Sequence, residues 1–179
     1  MHRRQPLPRL WLMTDERQGE SLWTAIDRLP RGAGIVFRHY SLPPGERRKL
    51  FEAVKARAKK RGLTLILAGT AEDAASFRAD GFHRRQPGRA RPGLLHTAPA
   101  HSLREIRSAE RSGADLIFLS PAFPTRSHPG QKALGALRFM LLARQARVPV
   151  VALGGMDGRR AKRLGDSIYG WAGIDAWSR

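Results

Sequence analysis

Short apolar runs alternate along this chain with amphipathic stretches, and that alternation limits the fold more than any other feature. Eight runs read as strands: residues 9–15 (RLWLMTD), 34–40 (GIVFRHY), 63–69 (LTLILAG), 81–83, 94–97, 115–120 (DLIFLS), 148–155 (VPVVALGG) and 169–177. Between most of them, apolar residues recur at helical spacing. Leu22, Ile26 and Leu29 mark a helix over 21–29 with Ser21 as its N-cap. Leu50, Phe51, Val54 and Ala58 share one face of a helix over 43–61, which Gly62 ends. Further helices are expected over 71–78, after the capping Ser102 (Leu103, Ile106 and Ala109), over 135–147 with Leu137, Met140 and Leu141 inward, and over 157–165. Residues 86–92 are polar, rich in Pro and Gly, and too short for a good helix, and 121–133 reads as a long loop. Strands alternating with helices imply a parallel sheet, and eight is the number that closes a barrel. An open doubly wound sheet is the alternative, weakened because no GxGxxG turn follows the first strand. The predicted fold is a compact α/β (β/α)₈ TIM barrel in one domain over residues 1–179.

At 179 residues the chain is short for that fold, which usually takes about 250. The final helix is expected to be missing, because no residues remain after the eighth strand. The barrel wall beside that strand would then be covered by the N-terminal segment or by a homo-oligomer contact.

Composition narrows the chemistry. There is no cysteine, which excludes disulfides, thiolate metal sites and cysteine nucleophiles and fits a cytoplasmic protein. No apolar run approaches the roughly 20 residues of a membrane span, and the apolar stretch near the start is too short for a signal peptide. Net charge is +18, with 33 basic residues against 15 acidic ones. Such a charge concentrates anionic ligands and favours nonspecific nucleic-acid binding. The basic residues are scattered, however, and no RNA-recognition, zinc-finger or basic-zipper signature accompanies them. A solvated basic surface therefore explains the charge better than a nucleic-acid partner, and an anion- or nucleic-acid-binding module stays as a third functional reading.

Two segments point to a site. Gly154-Gly155, at the end of the seventh strand, lets backbone N–H groups approach a phosphate that also meets the start of the next helix. The pair reads equally well as a tight turn needing positive φ. The loop after the sixth strand, Ser120 to Gly130 (SPAFPTRSHPG), offers the Thr125 and Ser127 hydroxyls, the Arg126 guanidinium and the His128 imidazole at the face where barrel enzymes place their sites. Its plainer reading is a Pro-stiffened surface loop.

In their order and spacing these segments resemble the thiamine-phosphate synthase superfamily, which includes the TenI-type thiazole tautomerases. The resemblance spans nearly the whole chain: LWLMTD at the first strand, FRHY at the second, RADGFHRRQ, AHSLREIRSAERSGADLIFLSPAFPT, and VPVVALGGM at the seventh. It implies a transferase of thiamine biosynthesis. In that reaction an aminopyrimidine methyl pyrophosphate is joined to a thiazole phosphate, and pyrophosphate leaves with Mg²⁺ assistance. It further implies Arg38, Thr125 and Ser127 near the diphosphate and His128 beside them in the loop. Asp80 is implied near the metal, and the amides around Gly154, Gly155, Gly173 and Ile174 at the thiazole phosphate.

The chain departs from the family pattern inside that site. The second-strand Gln and Lys of the synthases fall at Val36 and Tyr40, and the third-strand Asn-Asp at Ala68-Gly69. The acidic residues expected after Gln86 are Pro87 and Gly88, the fifth-strand Ser is Pro99, the loop Lys is His128, and the eighth-strand Ser is Asp175. Mg²⁺ needs one or two carboxylates plus substrate oxygens, so no metal site is expected before substrate binds. Asp175 would repel a phosphate unless it turns away or pairs with an arginine. The histidine that tautomerases carry in the sixth-strand loop falls at Pro121, which leaves His128 or His101 as a proton shuttle, or as ordinary loop and helix-start histidines. The alternative reading is thus a degenerate or TenI-like relative that binds a thiazole phosphate, or a similar anion, without the synthase reaction.

Overall fold

A computed structural model describes residues 6–85, 92–125 and 132–178. Eight parallel strands close into a barrel: β1 (Leu10–Met13), β2 (Gly34–Phe37), β3 (Thr64–Ala68), β4 (Gly81–His83), β5 (Leu95–Ala100), β6 (Leu116–Leu119), β7 (Val150–Ala152) and β8 (Gly170–Gly173). β8 pairs back to β1, Leu12 facing Gly173. Around the barrel lie α1 (Ser21–Arg28), α2 (Pro44–Arg61), α3 (Ala71–Ser76), α4 (Leu103–Arg111), α5 (Ala136–Ala143) and α6 (Gly158–Leu164).

The strands are apolar throughout because both of their faces are buried. Trp11, Met13, Val36, Ile66, Leu116, Phe118, Val151 and Ala172 point inward and fill the barrel. The alternate residues point outward, where they form two helix-facing layers. One layer joins Leu12, Ile35 and Phe37 to Phe51 and Val54 of α2, and the other joins Ile117, Leu119 and Val150 to Ile106 and Phe139. The Trp11 indole lies across the barrel floor, its Nε1 donating to Pro8 O at 2.8 Å. Gly34 faces it, and a Cβ there would come within 2.3 Å of the indole ring atoms.

Several expected boundaries shift for identifiable reasons. Ser21 is the first residue of α1 rather than its cap; the chain enters through a 3₁₀ turn (Glu16–Gln18), and the Ser21 hydroxyl donates back to Gln18 O. β5 continues through Pro99 to Ala100. Thr97 O accepts from Arg84 N, so residues 97 and 99 turn their backbone groups toward β4. β4 pairing stops at His83, opposite Thr97, so the N–H that Pro99 lacks would have had no partner. On α5 the inward residues are Phe139 and Ala143, whereas Leu137 and Leu141 are exposed. The expectation that those two leucines face the core is corrected: Phe139 and Ala143, four apart, set the buried stripe, and Leu137 and Leu141 fall outside it. β8 ends at Gly173, and residues expected to extend it form a 3₁₀ turn (Asp175–Trp177).

Candidate active site

The barrel places its functional side chains at the C-terminal ends of the strands, as the loops there converge. A cavity of about 570 Å³ opens at that mouth, and its lining includes Arg38, His101, Ser120, Thr125, Gly154, Gly155, Arg160, Gly173, Ile174 and Asp175. The structure thus gathers six of the sequence-predicted residues on one cavity: Arg38, Thr125, Gly154, Gly155, Gly173 and Ile174. Ser127 and His128 lie outside the described residues. Asp80 is not brought to this mouth. It sits at the start of β4, on a wide groove at the N-terminal end of the barrel, and its carboxylate accepts from Leu65 N at 2.8 Å. Strand direction explains the difference, since residues that begin a parallel strand lie at the floor of the barrel.

Arg38, just past β2, is held in place. Its Nε donates to Thr14 O at 2.6 Å and its Nη2 to Asp15 at 2.8 Å, while its backbone N–H donates to the Thr14 hydroxyl at 2.9 Å. Asp15 also receives Arg17, and that hydrogen bond is the main cause holding its carboxyl below the ordinary carboxylate range. The Thr14 hydroxyl lies 3.0 Å from His39 Nδ1. Burial pushes the His39 imidazole toward its neutral form.

Gly154 and Gly155 both take positive φ, 92° and 59°. A Cβ on Gly154 would come within 2.8 Å of Pro121 Cα, and one on Gly155 would collide with the Pro124 carbonyl oxygen. The glycine pair is therefore needed twice over, for its backbone conformation and for its contact with the β6 loop. The helix that follows is capped: the Asp157 carboxylate accepts from Arg160 N at 2.8 Å, which takes one of the first-turn amides of α6. The Asp15 hydrogen bond chiefly raises the Arg17 pKa, and the field of Asp175 adds a smaller contribution.

Two histidines approach the mouth. The Ser120 carbonyl lies 2.8 Å from His101 Nδ1 and can only accept, so Nδ1 carries a proton. His83 points into the barrel. Its Nδ1 lies 2.9 Å from the Thr97 hydroxyl, which itself donates to Phe82 O, and its ring meets Phe118 edge-on. Burial pushes the His83 pKa down to about 3.

Sequence reasoning left Asp15, His83 and Arg160 without roles. Asp15 and His83 lie inside the family-like segments LWLMTD and RADGFHRRQ, so a signal for them is present in the sequence. Arg160 lies in the arginine-rich GRRAKR stretch, where nothing local separates it from its neighbours.

Fold and site together define a (β/α)₈ barrel protein with an anion-suited mouth built from backbone amides and arginine. The sequence profile of one family, thiamine monophosphate synthase, matches residues 10–176. The chain belongs to that family. An Aquifex aeolicus protein that carries the name of a second thiamine-phosphate synthase is 33% identical, over 94% of this chain and 96% of its own. The thiamine-phosphate synthase of Chlorobium luteolum is 32% identical over 88% of this chain and 78% of its own. The solved structure of a thiamine phosphate pyrophosphorylase from Pyrococcus furiosus superposes with a TM-score of 0.77 at 24% identity, covering 97% of this chain and 88% of that one.

Proposed function

We propose that the chain acts in thiamine biosynthesis as a thiamine-phosphate synthase, joining an aminopyrimidine methyl pyrophosphate to a thiazole phosphate. The carbon–oxygen bond to pyrophosphate breaks and the leaving group takes the electron pair. The thiazole nitrogen then supplies its lone pair to the methylene carbon, giving thiamine phosphate and pyrophosphate. The observation that carries this reading is the meeting, on one cavity, of Arg38 and Thr125 with the Gly154-Gly155 and Gly173-Ile174 backbone. Such a mouth can hold an anionic group at each of two places and keep the reacting atoms in line between them. Arg38, fixed by Thr14 and Asp15, faces the leaving diphosphate without reorganising.

The residues do not fit a preformed Mg²⁺ site. Asp157 caps a helix, Asp15 pairs with two arginines and Asp80 lies at the opposite end. Among the described residues no three or more His, Asp or Glu side chains converge to hold a metal. That arrangement favours a second reading, in which the pocket binds a thiazole phosphate or similar anion without condensing it.

Incubating the purified protein with both substrates and Mg²⁺, and following thiamine phosphate and pyrophosphate, tests the proposal. Equimolar release of both products supports it. No product from a protein that still binds thiazole phosphate establishes the second reading instead.

A further inference from the structure

We propose that Arg160 is the side chain that reads the charge of a phosphate seated at Gly154-Gly155, an assignment that rests on the phosphate reading of this cavity. α6 carries four cationic residues, Arg159, Arg160, Lys162 and Arg163, and of these Arg160 lines the cavity. Two contacts hold its guanidinium there. Nη1 donates to the Gly155 carbonyl oxygen, and Cζ stands 5.3 Å from the centre of the Phe123 ring. Nη1 also lies 3.1 Å from the point where a Gly155 Cβ would be, so the missing side chain is what admits the guanidinium to the turn.

A guanidinium presents five N–H donors in a planar fork. Among the described residues the Arg160 Nε and Nη2 groups have no hydrogen-bond partner, which leaves that edge of the fork for an oxyanion. Charge balance points the same way. Two carboxylates, Asp157 and Asp175, line this cavity. Asp157 takes the amide at the start of α6, so that amide does not serve a phosphate. Arg38 lies just past β2, two strands from β8, and is already tied to Asp15 and Thr14. Among the described residues a dianion beside Gly155 therefore relies on Arg160. The ligand class that follows is a phosphomonoester dianion, preferred over the corresponding alcohol because of this one side chain.

The test is calorimetric titration of the full chain with inorganic phosphate, thiazole phosphate and the thiazole alcohol, using wild type, R160Q, R160K and R159Q. Wild type should bind both phosphates. R160Q should weaken both by about 10- to 100-fold, as expected for loss of a charge-assisted hydrogen bond, and leave the alcohol unchanged. R160K, with the charge but not the fork, should recover part of the loss. R159Q removes the same charge from the same helix outside the cavity and should bind like wild type. Equal weakening by R160Q and R159Q would assign the effect to the diffuse basic field and overturn the proposal. So would R160Q binding phosphate as tightly as wild type. If R160Q folds poorly, R160K against R159Q still decides: R160K should bind phosphate more weakly, and equal binding overturns the assignment. Failure of wild type to bind either phosphate would instead overturn the phosphate reading itself.

Discussion

Trp171 on β8 and Trp177 in the turn that follows stack face to face, their ring centroids 4.8 Å apart and their planes 5° from parallel. Trp177 also donates its Nε1 to Trp11 O at 3.0 Å, and its turn packs on α1. A (β/α)₈ barrel ordinarily covers its eighth strand with a helix. Here an aromatic pair and a single turn cover part of that wall, and Tyr169, at the other end of β8, donates its hydroxyl to Leu7 O at 2.6 Å. That contact belongs to the barrel floor, where Leu7 and Tyr169 pack against the inward-facing strand residues.

Trp177→Ala should accordingly cost about 3 kcal/mol of stability, the lower end of the range for aromatic truncation because the ring is only partly buried. Trp177→Phe keeps the stack and loses the hydrogen bond to Trp11, at about 1 kcal/mol. Urea unfolding of both variants checks the ranking. Equal stability of wild type and the alanine variant would show that the turn does not brace the barrel.

His83 sets a pH dependence. In the unfolded chain its imidazole takes up a proton near its ordinary value of about 6.5, whereas in the fold it stays neutral until about 3. Between those values the unfolded state binds more protons, so its contribution is complete above about pH 6.5 and drains away on acidification. The slope approaches about 1.4 kcal/mol per pH unit for this one group. Buried His39 adds to the same trend. His83→Asn retains a donor toward Thr97 and cannot titrate. Its stability, measured by denaturant unfolding from pH 7 to pH 4, should fall less steeply than that of wild type.

The sequence made the barrel readable because parallel strands buried on both faces leave continuous apolar runs that turn residues punctuate. Pro99 shows where such reading stops. A proline normally argues against a central strand, and only the early end of β4 makes it harmless, which is a fact about the neighbouring strand. The inward face of α5 was misread for a similar reason: Leu137 and Leu141 are as apolar as Phe139, and the wall against which the helix packs decides between them. In the site, glycines and motif residues were legible from their strand ends. Asp80 precedes β4 and so falls at the N-terminal end of the barrel, which its motif alone does not reveal.

Gly155→Ala should close the phosphate cradle. The added methyl meets positive φ, the Pro124 carbonyl and Arg160 at once. A loss of about 1–3 kcal/mol in stability is expected from strain and overpacking. Phosphate binding should fall by more than stability does, because Nη1 of Arg160 must give way. Calorimetry at a temperature where the variant remains folded separates the two. Unchanged phosphate affinity would show that the turn has no part in the ligand site.

Asp15 tests whether Arg38 is a fixed or a mobile charge. Asp15→Asn removes the carboxylate that Arg38 and Arg17 share, while Thr14 O still accepts from Arg38 Nε. The guanidinium should then sample other positions, lowering kcat/KM for the diphosphate substrate several-fold, with part of the loss in kcat. Losing charge-assisted hydrogen bonds should cost about 1–2 kcal/mol of stability, discounted because Arg17 is exposed. Because Arg17 and Arg38 depress the folded Asp15 pKa, this contribution is intact above the ordinary carboxylate range and is lost only as pH falls through the lowered value. Wild type and variant should therefore differ in stability near neutrality and converge in strong acid. A constant gap across that range would show that the Asp15 charge does not hold Arg38.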